Sequence, residues 1–260
     1  MEEAAVVREE KGPVSVLTMQ YRPHNLLGPT LLGAIADEIA AARDAGSRAI
    51  ILRSGLRHFS AGAEVAQFTA RIEQGGRSQS AIGGVEFLKL LELLPIPIVA
   101  SVHGVCLGGG FELALACDYI LAASSAKIGS VEVTLGLHPL LGGIQRQVQR
   151  AGAMRAKEMS MLGRRYDPAT LERWGLVNLV VADDALEEAT MTIAEELAHG
   201  PTVAHAATKR LVHIAVNEGV LAADEAMAEI QKPIWASEDL KIGLASFREN
   251  GPGHAKFTGR

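Results

Sequence analysis

Apolar residues fall in two kinds of run along this chain, and their alternation sets the architecture. "PVSVLTMQ" (13–20), "RAIILRS" (48–54), "IPIVASVHG" (96–104), "DYILAAS" (118–124) and "LVNLVVAD" (176–183) are short blocks rich in Val, Ile and Leu. Blocks of this length, bounded by turn residues, predict buried strands. Between them, "NLLGPTLLGAIADEIAAARDAG" (25–46) and "QSAIGGVEFLKLLELLP" (79–95) repeat apolar positions at helical spacing, with Pro29 near the first turn of one and Pro95 closing the other. A further helix over 111–117 follows three consecutive glycines. Strands alternating with helices predict an α/β fold with crossover connections.

The pattern changes after Asp183. "DDALEEATMTIAEELAHG", "PTVAHAATKRLVHIAVNEG", "VLAADEAMAEIQKPIWA" and "SEDLKIGLASFREN" predict successive helices, the first begun by Asp183 or Asp184 and ended by Gly200. Residues 1–199 are therefore expected to form an α/β core, and residues 200–260 a C-terminal helical region.

Composition narrows the functional classes. A chain of 260 residues buries enough surface to fold without staples. Aromatics at 4% and 27 glycines point to an aliphatic core with close backbone packing. The net charge of −5, with no Lys/Arg-rich block, argues against a nucleic-acid partner. Cys106 and Cys117, in apolar surroundings, read as reduced core residues rather than a disulfide or metal framework. The acidic start "MEEAAVVREE" lacks signal-peptide character, and no apolar run reaches about 18 residues. A cytoplasmic protein with no membrane span is expected.

Four features bear on chemistry. In "GVCLGGGFELALACD" (104–118) the glycine triplet precedes a helix whose first turn carries one acid, Glu112. A helix N-terminus offers unpaired N–H groups, and glycine lets a ligand approach them. Such a site suits a phosphate or a developing oxyanion, and tight strand-to-helix packing explains the same glycines. The order is not G-x-G-x-x-G, so the dinucleotide fingerprint is absent. "HFSAGAE" (58–64) follows the strand at 48–54 as the triplet follows that at 96–104. If the two strands are neighbours, both loops open at one sheet edge, and an N–H from each converges on one oxygen. Glu132, between two valines in "KIGSVEVTLGLHPLLGGIQR", reads either as a solvent-facing strand residue or as a second acid beside Glu112. Facing acids push their pKa values apart and divide acid and base roles. The eight histidines form no metal-binding pair on a helix, Ser60 and Ser101 lack a nucleophile elbow, and Asp118 is expected to cap or end its helix.

Taken together, "HNLLGPTLL", "HFSAGAE", "IPIVASVHGVCLGGGFELALACDYILAA", "IGSVEVTLGLHPLLGGIQR", "WGLVNLVV" and "SEDLKIGLASFREN" resemble, in order and spacing, the enoyl-CoA hydratase/isomerase (crotonase) family over essentially the whole chain. The resemblance implies a spiral core of ββα units, a C-terminal helical trimerisation region and assembly as a homotrimer or dimer of trimers. It also implies an acyl-CoA thioester substrate, coenzyme A being part of that substrate and no separate cofactor or metal being needed. Carried over residue by residue, the N–H groups of Ala63 and Gly109 form an oxyanion hole. Glu112 is the general base that activates water for attack at Cβ, and Glu132 delivers the proton to Cα. Arg22, Ala61, Gly62, Glu64, Gly108 and Leu140 contact substrate. With both acids matched, hydration of a trans-2-enoyl-CoA comes first; Δ3-Δ2-enoyl-CoA isomerisation, or binding of acyl-CoA without turnover, are the alternatives.

Three departures stand against the family pattern. "PLLGG" (139–143) puts Leu140 where a glycine N–H usually helps hold the catalytic water, with His138 beside it. "EVA" (64–66) lacks a lysine expected near the coenzyme A phosphates, for which Arg22, Arg57 or His58 are substitutes. Asn250 likewise stands where a lysine is common. The segments "GLRHF" and "TARIEQGGRSQSAIGG" are expected to shape the acyl pocket.

Overall fold

The computed structural model describes residues 4–73 and 80–260. Its strands are β1 (Val6–Lys11), β2 (Val14–Met19), β3 (Ala49–Ser54), β4 (Ile98–Val102), β5 (Val105–Leu107), β6 (Tyr119–Ala123), β7 (Lys127–Gly129) and β8 (Leu179–Val181). The main sheet runs β1-β2-β3-β4-β6-β8. Only β1 is antiparallel, folded back on β2 through the turn at Gly12 and Pro13; every other pairing in that sheet is parallel. β2, β3, β4 and β6 read as continuous apolar blocks because both faces are covered. Alternate residues divide between two cores, as the two-residue strand period requires. Leu17, Ile50, Leu52, Ile98 and Ile120 pack with Leu31, Ile35 and Ile39 of α1 (Pro29–Asp44). Val16, Ile51, Val99 and Leu121 pack with Leu186, Ala194 and Ala198 of α7 (Leu186–His199).

The remaining helices of the core are α2 (Val65–Glu73), α3 (Ser80–Leu93), α4 (Gly109–Leu115), α5 (Gly143–Leu162) and α6 (Pro168–Arg173). A repeating unit is visible. β4, β5 and α4 form one ββα turn of a spiral, and β6, β7 and α5 form the next. In each unit the first strand joins the main sheet and the second joins a small one, where Cys106 pairs with Ile128. Single bridges extend this small ladder to Ser60 on one side and Tyr166 on the other.

The C-terminal region is helical, with α8 (Thr202–Asn217), α9 (Val220–Ile230), α10 (Lys232–Ala236) and α11 (Glu238–Asn250). The segment 220–236, expected as one helix, is two. Pro233 lies in the first turn of α10 and cannot donate to a helix continuing from α9. Arg48 ties this region to the core through the Gly200 carbonyl (2.7 Å), Thr202 Oγ1 (3.0 Å) and the Phe257 carbonyl (3.1 Å). No helix among the described residues is long and apolar enough to cross a membrane.

Two expected caps are corrected. Asp118 does not end α4, whose C-cap is Ala116. Its carboxylate accepts from the Ile98 N–H (2.8 Å) and from Lys209 Nζ (2.6 Å), so it anchors the start of β4 and α8 together. Asp183 does not cap α7 either. It lies in a 3-10 turn and accepts from Ser124 Oγ and from the Ser125 N–H and hydroxyl; the N-cap is Ala185.

Candidate active site

Because β3 and β4 are parallel neighbours, the loops that follow them open side by side. The first loop is fixed by Asn25, buried and with φ of 50°, in the left-handed region that asparagine tolerates. Asn25 Nδ2 donates to Ser54 Oγ (2.8 Å) and to the Phe59 carbonyl (3.1 Å), while Ser60 Oγ donates to the Asn25 carbonyl (2.7 Å). Leu27 then pairs with the loop, donating to the Gly62 carbonyl (2.8 Å) and accepting from Glu64 N–H (3.0 Å). Strand geometry turns the intervening Ala63 N–H to the opposite side.

That side faces the glycine triplet. Gly108, with φ of 52°, donates to the Gly129 carbonyl (2.9 Å) and starts α4. A β-carbon at Gly110 would lie 2.5 Å from Ser60 Cβ, so its absence lets the two loops touch. A β-carbon at Gly109 would lie 3.8 Å from the Ala63 nitrogen. As the first residue of α4, Gly109 has no intrahelical acceptor. Among the described residues, neither the Ala63 nor the Gly109 N–H donates to another group.

Glu112 lies one turn inside α4 and is 2% exposed. Its Oε1 does not fold back on its own helix. It accepts from the Leu141 N–H (2.8 Å) and the Gly143 N–H (2.7 Å), the turn that begins α5. Gly143 has to be glycine here, because a β-carbon would stand 2.7 Å from Glu112 Cγ. Burial pushes the carboxyl up to about 7; the two amides and Arg146 oppose that rise, and nearby Glu132 adds to it. Glu132 opens a 3-10 turn (Glu132–Leu135), not the strand position one reading of the sequence gave it. Both of its carboxyl oxygens are buried with no hydrogen-bond partner among the described residues, and Oε1 is the nearest atom to where a Gly108 β-carbon would be, at 3.3 Å. Burial raises this carboxyl too, against the nearness of its own main-chain N–H and then the pull of His138.

A prediction about stability follows from Glu112. Its folded value of about 7 exceeds the ordinary 4.5, so between those limits the native state holds more protons than the unfolded one. Stability therefore falls as pH rises through that window. Glu112→Gln is expected to flatten this slope and to melt above the parent at about pH 8, measured by thermal denaturation across pH.

One cavity of about 510 Å³ collects these groups. Ala61, Gly62, Ala63, Gly108, Gly109, Glu112, Glu132 and Leu140 all line it, and among the described residues the two glutamates are its only titratable lining residues. The rest of the described wall is apolar or glycine, from residues 27 and 28, α1, α2, α3, Val131 and the 135–141 segment. Leu140 needs no left-handed backbone, since Asn25 alone among described non-glycine residues has positive φ. The expected substrate contacts Arg22 and Glu64 do not line the cavity: Arg22 is exposed on the loop before Asn25, and Glu64 is turned to Leu27 through its backbone. "GLRHF" does not line it either. Phe59 is in the core and Arg57 lines a separate cavity with Arg53 and His103. His58 Nδ1 accepts from the Val105 N–H (3.2 Å), and burial, with Arg57, His24 and His103, lowers its pKa, which disfavours a cationic phosphate ligand. Of the second segment, Gly83 and Gly84 line the cavity, while residues 74–79 lie outside the described residues.

The amides of Leu141 and Gly143 and the organising role of Asn25 went unread in the sequence. The only signal was the turn "PLLGG" itself, in which a buried acid's partners are main-chain atoms.

Comparison with known proteins bears on the whole chain. The family model described as enoyl-CoA hydratase/isomerase matches residues 9–259. A probable enoyl-CoA hydratase of Rhizobium meliloti is 33% identical over 246 residues, covering 92% of this chain and 93% of the relative. The crotonyl-CoA hydratase of Syntrophomonas wolfei is 34% identical over 252 residues, covering 94% and 95%. The crystal structure of an enoyl-CoA hydratase from Bacillus anthracis superposes with a TM-score of 0.89 at 28% identity, covering 98% of this chain and 100% of that one. The ββα spiral, the paired loops and these matches along nearly the full length make the chain a member of the enoyl-CoA hydratase/isomerase family, with the crotonase fold.

Proposed function

We propose that the cavity hydrates a trans-2-enoyl-CoA thioester. The observation that carries this reading is the pairing of an amide-anchored acid, Glu112, with an unpartnered one, Glu132, in a single apolar cavity. A buried carboxyl without a partner is costly, so its partner is expected to arrive with the substrate. The thioester oxygen accepts from the Ala63 and Gly109 N–H groups. Glu112, held by Oε1, takes a proton on its other oxygen from a water whose oxygen bonds to Cβ. The alkene electron pair moves to the Cα–carbonyl unit as an enolate held by the two amides, one such donor being worth about 3–4 kcal/mol. Glu132, in its protonated form, gives its proton to Cα. Proton exchange with solvent restores both acids. The sum is redox-neutral addition of water, so coenzyme A enters only as part of the substrate.

The test is loss of the conjugated thioester absorbance on adding the protein to crotonyl-CoA, with 3-hydroxyacyl-CoA as product. A 3-enoyl-CoA in the same assay separates hydration from alkene migration. Tight binding of both without turnover would assign the site a binding role and overturn the proposal.

The acyl tail is read as lying between α1 and α3. Gly33 and Gly83 line the cavity from these helices, and a β-carbon at either would meet nothing within 4 Å. Gly33→Leu and Gly83→Leu are expected to lower kcat/KM for the longest acyl chains by about tenfold or more per displaced methylene, with crotonyl-CoA little affected. Replacing a helical glycine also favours the helix, so melting temperature should hold or rise. A chain-length series in each variant checks this.

Assembly as a trimer or dimer of trimers belongs to the same proposal. Val212, Val216, Leu221, Trp235, Leu244 and Phe247 on α8 to α11 are exposed, and assembly is expected to cover them. Light scattering on the full chain tests it.

A further inference from the structure

Behind Glu112 lies an ion pair whose residues, Arg146 and Glu92, do not line the cavity. Arg146, in the first turn of α5, is 7% exposed. Its guanidinium forks onto Glu92 of α3, Nε to Oε1 and Nη2 to Oε2, both at 2.8 Å. The third nitrogen, Nη1, donates to the carbonyls of Leu141 (3.4 Å) and Gly142 (3.2 Å). Those carbonyls belong to the turn whose N–H groups grip Glu112. Planar bidentate geometry of this kind fixes direction as well as distance, which a lysine cannot reproduce.

We infer that Arg146, oriented by Glu92, is the positioning residue of the site: it holds the 141–143 turn so that two amides grip Glu112 Oε1 and leave Oε2 for the reacting water. The inference rests on the hydratase reading for its consequence in turnover, and on the hydrogen-bond chain alone for its effect on Glu112. The chain runs Glu92, Arg146, turn, Glu112, and it joins α3 to α4 through α5. The same α3 supplies Gly83, Gly84 and Phe87 to the cavity wall, so the helix that meets the acyl tail also steadies the base.

Charge gives the inference a signature that packing alone lacks. The charged groups acting on Glu112 are Glu132 from the 3-10 turn and Arg146 from α5, with Glu92 neutralising Arg146 from α3. Removing the Arg146 cation leaves the buried carboxylate less stabilised, so Glu112 should hold its proton to higher pH. Removing the Glu92 anion leaves the cation unneutralised, so Glu112 should release its proton at lower pH. The two changes act in opposite directions although both break one ion pair.

The experiment uses the full chain with ¹³C-labelled glutamate, the Glu112 carboxyl resonance being identified by its loss in Glu112→Gln. Expected results are a titration midpoint above the parent in Arg146→Met, a smaller rise in Arg146→Lys, and a fall in Glu92→Gln. In Arg146→Lys, which keeps the charge if Arg146→Met fails to fold, kcat on crotonyl-CoA should drop by about 10²-fold with KM little changed, as a misplacement of about 1 Å produces. Midpoints that stay at the parent value, or that move the same way in Glu92→Gln and the arginine variants, would overturn the inference. Opposed midpoint shifts in a protein that does not hydrate enoyl-CoA would leave the positioning role standing and reject the hydratase reading instead.

Discussion

Glu112→Gln and Glu132→Gln are each expected to lower kcat on a 2-enoyl-CoA by about 10²–10⁴-fold, the range for loss of one positioned acid or base. The two substitutions reach that loss by different routes. Glutamine at 112 still offers a carbonyl oxygen to the Leu141 and Gly143 N–H groups, so the turn and the fold are kept while the base is lost. Glutamine at 132 exchanges an unpartnered carboxyl for an unpartnered amide of the same shape, which cannot release a proton to Cα. Binding is expected to survive in both, because the proposed oxyanion donors, Ala63 and Gly109, are main-chain groups and the wall is apolar. Calorimetry with a non-reacting thioether analogue, beside steady-state turnover, checks both halves. Turnover near the parent level in either variant would remove that residue from the mechanism.

Gly110→Val is expected to show the other large effect. No side chain fits at 110, since a β-carbon would stand 2.5 Å from Ser60 Cβ and 3.1 Å from the Ser60 carbonyl oxygen. Ser60 has little room to retreat: its hydroxyl donates to the Asn25 carbonyl, its N–H donates to Val105 and its carbonyl accepts from Leu107. Overpacking at such a place costs about 1–3 kcal/mol, and for a chain of this size each kcal/mol lowers Tm by about 2–4 °C. The valine also drives apart the loops that carry Ala63 and Gly109, for which a loss of about 10²-fold in kcat is expected. Gly33→Ala, where a β-carbon meets nothing within 4 Å, is the control and should melt at or above the parent temperature. A Gly110→Val protein with parent Tm and parent kcat would refute the close approach of the loops.

What could be read without coordinates was set by how strongly each segment declares itself. β2, β3, β4 and β6 are buried on both faces, so their apolar blocks are continuous and their ends fall within a residue or two of the expected ones. β1 was missed because it is an edge strand whose charged residues, Arg8, Glu9 and Glu10, read as a polar terminus. β5 and β7 have three residues each, too few for any periodicity to register. At the site, Ala63, Gly109, Glu112 and Glu132 were named from motifs, and the structure places all four around one cavity. Asp118 was misjudged because its partners, Ile98 and Lys209, lie 20 and 91 residues away, beyond any local rule for caps. For the same reason the hold of Leu141 and Gly143 on Glu112 was invisible: it runs between main-chain amides and an acid 29 and 31 residues distant.

The small ladder from Ser60 through Cys106 to Ile128 has a bearing on what variation this scaffold tolerates. Ala63 lies three residues past Ser60, Gly109 three past Cys106, and Glu132 four past Ile128. Adjacent strands keep a separation of about 4.8 Å that main-chain pairing dictates. The ruler against which these groups are laid out is thus written in peptide bonds, and side chains such as Asn25 and Ser60 hold the loops against it. Replacing wall residues, or one of the two glutamates, is therefore expected to leave the spacing of the remaining groups unchanged.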